Sequence, residues 1–133
     1  MKIFLDCSDV DLIKQSYSTG LIDGVTTNPS LMLKNGQNPL DVLKKITSIF
    51  PWDASISAEV VGETVEDMLS MADTYLEIAP NITIKVPCTR TGLRACKDLS
   101  EDDVAVNVTL IFSANQAILA SKAGATYVSP FVG

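Results

Sequence analysis

The chain has 133 residues, 47% of them hydrophobic and 20% charged, with a net charge of −6. That length suits one globular domain with a sizeable core, and the acidic balance makes nucleic acid and anionic membrane surfaces poor partners. Three cysteines without CxxC spacing and a complete lack of histidine argue against a disulfide framework, His-based triads and most zinc sites.

Taken in order, Ile3 to Cys7 reads as a strand, and its Asp6 interrupts any signal-peptide apolar region, so a cytoplasmic location is expected. Ser8 follows as a helix N-cap, with Asp11 in the first turn, Val10, Ile13 and Tyr17 on one face, and Gly20 as the stop. Gly24 to Asn28 is a second strand closed by Pro29, and a turn from Leu31 to Gly36 leads to a helix opening at Pro39. Ile56 to Val61 is the third strand. Thr64 and Asp67 then open a helix that turns Val65, Met68, Leu69, Ala72, Tyr75 and Leu76 inward. After Pro80 comes a β-branched run, Asn81 to Thr89, with Lys85 in its middle. A helix over Thr91 to Leu99, a strand over Val104 to Phe112, a helix from the Ser113 cap to Gly124, and a strand over Thr126 to Val132 complete the pattern.

Strand and helix alternate throughout residues 1–133, with no linker or low-complexity segment, which implies one domain built on a parallel sheet covered by helices. The spacing is about 25 residues per βα unit, and eight such units make a barrel of about 200 residues. The expected fold is therefore α/β, a (β/α)8 TIM barrel truncated after about six βα units. A doubly wound open sheet is the rival, but no Gly-rich phosphate loop follows the first strand.

Side chains alternate faces along a strand, so parity sorts them. One parity is almost wholly apolar: Ile3, Leu5, Val25, Ile56, Ala58, Val60, Ile82, Ile84, Val86, the run Val104, Val106, Val108, Leu110, and Val128. The other carries Phe4, Asp6, Thr26, Asn28, Ser57, Glu59, Thr83, Lys85, Ala105, Asn107, Thr109, Tyr127, Ser129 and Phe131. If helices cover the outside, this second set lines the lumen near the C-terminal ends of the strands, where barrel active sites lie. A lysine desolvated there is a neutral amine able to attack a carbonyl and form a Schiff base.

Asp6 and Glu59 supply carboxylates for proton transfer, Thr109 with Glu59 suits the holding of a water, and Asn28, Asn107 and Ser129 suit sugar hydroxyls. Such chemistry requires no metal and no cofactor. Each residue also has an ordinary role. Lys85 can snorkel to solvent, Asn28 before Pro29 suits a turn, Thr26 and Thr109 are strand formers, and Asp6 or Glu59 can simply pair with Lys85.

These residues resemble the transaldolase family, together with the related fructose-6-phosphate aldolases. The matching segments are FLDCSD at Phe4–Asp9, GVTTNPSL at Gly24–Leu31, SAEV at Ser57–Val60, IKVPCT at Ile84–Thr89, NVTLIFS at Asn107–Ser113 and YVSPFVG at Tyr127–Gly133. The resemblance implies a class I aldolase barrel that moves a dihydroxyacetone unit between sugar phosphates in the pentose phosphate pathway, as a homo-oligomer when full-length. By this likeness Lys85 is the Schiff-base lysine and Asp6 the general acid/base. Glu59 and Thr109 position the catalytic water, Asn28, Asn107 and Ser129 bind hydroxyls, and Thr26 lines the site.

Glu59 and Phe131 match transaldolases, whereas the aldolases are expected to carry Gln and Tyr there. A tyrosine at 131 would hold a water that protonates and releases the cleaved donor; phenylalanine does not. The resemblance also implies two further βα units, and a phosphate-binding arginine, beyond Gly133. Two other readings follow: an aldolase that releases free dihydroxyacetone, and a non-catalytic piece of barrel that needs a partner chain.

Overall fold

In the computed structural model, which describes residues 1–132, strands and helices alternate as the sequence predicts. Gly133, the last residue of the YVSPFVG segment, lies outside the described residues. The strands are β1 (Phe4–Asp6), β2 (Gly24–Thr26), β3 (Ser55–Glu59), β4 (Ile82–Pro87), β5 (Val106–Ile111) and β6 (Tyr127–Pro130). The helices are α1 (Val10–Tyr17), α2 (Pro29–Lys34), α3 (Pro39–Thr47), α4 (Val65–Leu76), α5 (Arg90–Glu101) and α6 (Ala114–Lys122). In the sheet the strands follow chain order, β1-β2-β3-β4-β5-β6. This is the βα alternation of a TIM-barrel chain carried through six strands.

The chain divides into two compact units, one of Met1–Glu59 with Tyr75–Ile82, the other of Val60–Thr74 with the residues from Thr83 onward. In the first, β1 pairs parallel with β2 and β2 with β3, and the Ile56 N–H donates to the Asn81 carbonyl. Ile13, Val25, Met32, Leu43, Ile46 and Ile56 are fully buried there. Phe50, beyond the end of α3, is buried against Tyr17 with ring centroids 4.6 Å apart. In the second unit β4 pairs parallel with β5 and β5 with β6, and the core is Val60, Ile84, Val86, Cys96, Val106 and Val108.

The caps explain where each helix starts, and two of them correct the sequence reading. The cap of α1 is Asp9 rather than Ser8: its Oδ1 accepts from the N–H groups of Asp11 (2.9 Å) and Leu12 (3.0 Å). A carboxylate that takes two amides at the positive end of a helix outcompetes a neutral hydroxyl. The expected turn after Pro29 is the short helix α2, capped by Asn28 with Pro29 in its first turn. The other starts follow expectation: Asn38 caps α3, Thr64 and Asp67 bond reciprocally at 3.1 Å before α4, and Ser113 caps α6. Thr89 caps α5, one turn earlier than its apolar pattern begins.

From Val25 through Val108 the apolar parity is buried except at half-buried Val104, as expected of a face under helices, whereas Leu5 is half-buried and Ile3 and Val128 are exposed. The pattern fails at Leu110, which is exposed with φ at 59°, while Ile111 is buried. A bulge lies there: Val108 pairs with Val128 and Ile111 with Pro130, so Thr109 and Leu110 together oppose the single residue Ser129.

Candidate functional site

In the first unit the sheet register aligns Asp6 with Thr26 and Thr26 with Ser57, so three polar residues form one rung across β1, β2 and β3. Side chains on one rung of a parallel sheet leave it on the same face. The Thr26 hydroxyl donates to Asp6 Oδ1 at 2.8 Å, which fixes one carboxylate oxygen and leaves the other accessible on an exposed residue. Asn28 sits just past β2, and its Oδ1 is taken by the α2 cap, accepting from Ser30 N–H at 3.0 Å and Leu31 N–H at 3.3 Å. Its amide nitrogen remains as the donor it has to offer a hydroxyl.

Glu59 ends β3 half-buried. The Tyr75 hydroxyl, buried in the same unit, is held above its usual pKa, first by desolvation and then by the negative charge of Glu59. A cavity of about 530 Å³ in this unit is lined by Lys2, Tyr17, Asp23, Phe50 and Asp53 among others. It opens at the N-terminal ends of the strands and includes none of the candidate residues.

In the second unit Lys85 is aligned with Asn107, and Asn107 with Tyr127. The amine, an amide and a phenol thus share one rung of β4, β5 and β6. Lys85 is half-buried in a strand whose other residues are mostly buried, and its carbonyl accepts from Val60 N–H at 2.9 Å. Asn107 is buried, and its Oδ1 accepts the Ser129 hydroxyl proton at 2.8 Å. Thr109 is buried one step along, aligned with Pro87. Phe131 lies just beyond β6, exposed, with its N–H bonded to the Ile111 carbonyl at 3.0 Å.

The structure therefore brings Asp6 to Thr26 in one unit and joins Lys85, Asn107 and Ser129 in the other. Three residues outside the expected set also stand at these places. Ser57 and Tyr127 occupy the rungs, and both were visible in the polar parity. Phe112 stacks on Phe131 with centroids 5.2 Å apart and planes at 24°, a contact that no strand periodicity signals. Among the described residues no group of three or more His, Cys, Asp or Glu is placed to hold a metal ion. No helix in that range is long and apolar enough to cross a membrane.

Comparison with known proteins adds a family to this geometry. Residues 3–133 match the family described as Transaldolase/Fructose-6-phosphate aldolase. A protein named probable transaldolase from Cereibacter sphaeroides (strain ATCC 17029) is 54% identical over all of this chain and 60% of its own length. Namesakes from Paracoccus denitrificans and Methanococcus maripaludis are 54% and 53% identical, again over the whole of this chain. This chain spans about 60% of the length of such relatives. Among solved structures, N-acetylneuraminate lyase from Mycoplasma synoviae superposes with a TM-score of 0.60 at 10% identity, over 97% of this chain and 53% of that one. KGPDC from Streptococcus mutans gives 0.59 at 16% identity, over 96% and 64%. At such identities the likeness is one of fold.

Proposed function

Because the chain belongs to the transaldolase/fructose-6-phosphate aldolase family, we propose that it carries the reacting groups of a class I transaldolase, which moves a dihydroxyacetone unit between sugar phosphates. The observation that supports this most is the register that aligns Lys85 with Asn107, whose side chain already holds the Ser129 hydroxyl.

Lys85 Nζ adds to the ketose carbonyl to give a carbinolamine, and loss of water gives a protonated imine. The bond between C3 and C4 then breaks, its electron pair moves into the imine as an enamine, and the C4 hydroxyl gives up its proton to a carboxylate. Asp6, steadied by Thr26, is the group we assign to that transfer. The aldehyde leaves, an acceptor aldehyde takes its place, and the enamine carbon attacks it while its oxygen takes a proton. Water, positioned by Glu59 and Thr109, hydrolyses the final imine and frees the amine.

The protonated imine is itself the electron sink, so the chemistry calls for no metal or cofactor. Asn28, Asn107 and Ser129 bind the hydroxyls of the donor, fructose 6-phosphate or sedoheptulose 7-phosphate, and Phe131 lines the acceptor side. We place this activity in the cytoplasm, in the pentose phosphate pathway, with a homo-oligomer as the working form of the full-length protein. A second reading is a piece of barrel that works only after assembly with another chain.

One experiment tests both. The folded chain is incubated with fructose 6-phosphate and borohydride, and its peptides are weighed. A reduced dihydroxyacetone adduct on Lys85, lost in Lys85→Arg, is expected. A folded chain without that adduct overturns the catalytic reading and leaves the second. In a parallel run without borohydride, release of free dihydroxyacetone as readily with erythrose 4-phosphate as without it would instead indicate an aldolase.

A further inference from the structure

The regular alternation of β5 places Phe112 on the parity of Val108 and Leu110, under the helices and away from Phe131. The bulge reverses this. With Thr109 and Leu110 both opposite Ser129, the pleat loses one step: Leu110 turns outward in a left-handed conformation, Ile111 turns into the core, and Phe112 arrives beside Phe131. A leucine at φ 59° is strained, and such strain persists only where the surroundings impose it.

Both rings are then fastened from behind. The Phe112 N–H donates to Gln116 Oε1 at 2.7 Å, at the turn into α6, and the Phe131 N–H donates to the Ile111 carbonyl at 3.0 Å. Yet among the described residues Phe112 and Phe131 are 68% and 61% exposed. A stacked pair of phenylalanines in solvent does little for the core. It stands at the C-terminal ends of β5 and β6, the end at which Ser129 holds Asn107.

We propose that Phe112 is a specificity-determining residue of the same site, forming with Phe131 a paired-ring wall on which the carbon chain of the acceptor aldehyde packs. This rests on the transaldolase reading above. The wall decides between two fates of the enamine. In transfer, the enamine carbon bonds to the acceptor carbonyl carbon and the acceptor oxygen is protonated. In release, that carbon takes a proton delivered by water, a second water adds to the imine carbon, and the Lys85 amine departs to leave free dihydroxyacetone. An apolar wall favours the first by binding the acceptor and by keeping water from the enamine.

The test follows the Lys85 adduct in the whole chain after loading with fructose 6-phosphate, with and without erythrose 4-phosphate. The ratio of dihydroxyacetone released to dihydroxyacetone transferred is measured for wild type, Phe112→Ala, Phe112→Trp and Ile118→Ala. Phe112→Ala should raise that ratio by roughly three- to tenfold, the effect expected from losing an aromatic pair. Phe112→Trp should return it toward wild type, and Ile118→Ala, on the exposed side of α6, should not move it. An unchanged ratio in Phe112→Ala, with the adduct still forming, overturns this assignment and leaves the transaldolase reading standing. No adduct in the wild-type chain overturns that reading and this assignment with it.

Discussion

Cys96 lies fully buried on α5, and burial pushes its thiol up to about 11. Cys7 and Cys88 are half-buried. Since the thiolate is the reactive form, alkylation of the native chain with iodoacetamide near neutral pH should modify Cys7 and Cys88 and spare Cys96. The same shift has a consequence for stability. The folded state holds the Cys96 proton more tightly than the unfolded chain does, so its contribution is intact below the ordinary value of 9.0. It is lost as the pH rises from there to about 11. Thermal unfolding midpoints should fall across that window, and less steeply in Cys96→Ala than in wild type. Equal slopes would place the alkaline loss elsewhere, with the buried hydroxyl of Tyr75 the next group to examine.

The join between β4 and α5 depends on Gly92. A Cβ at that position would collide with the carbonyl oxygen of Pro87, a backbone atom that cannot swing aside. Alanine gains about 1 kcal/mol over glycine in a helix interior, less in a first turn, whereas overpacking costs about 1–3 kcal/mol. The collision should win. Gly92→Ala is expected to lower the urea midpoint of the chain and, because Pro87 is two residues past Lys85, to slow adduct formation. A midpoint at or above wild type would show that the first turn of α5 shifts freely. At this scale the sequence was informative where a pattern repeats: alternating apolar strands, 3.6-residue helix faces, and caps such as Thr64 with Asp67. It was silent where the structure departs from repetition. Helix α2 is too short to show periodicity, and only the Asn28–Pro29 pair marks it. Strand parity placed Asp6, Thr26 and Ser57 on one face, but not on one rung, because register depends on neighbouring strands. The bulge at Leu110 breaks the very two-residue period that parity relies on, so the stack of Phe112 on Phe131 could not be read from it.

Across the whole molecule, charge opposes the proposed substrate. A chain of net charge −6 surrounds itself with a potential that repels a sugar phosphate, and its ten Lys and Arg residues do not offset that field. Raising the ionic strength from about 0.01 M to about 0.15 M shortens the screening length from roughly 30 Å to roughly 8 Å, so the repulsion shrinks while a short-range contact to a buried group survives. The initial rate of Lys85 adduct formation with fructose 6-phosphate should therefore rise with salt, by roughly two- to tenfold. With uncharged dihydroxyacetone as donor it should not change. A rate that falls with salt for the phosphate alone would mean that some of those cations form a local phosphate cradle strong enough to outweigh the net field. Reading the two donors side by side separates the field of the molecule from the chemistry of its lysine, because both must form the same bond at Nζ and only one carries the charge.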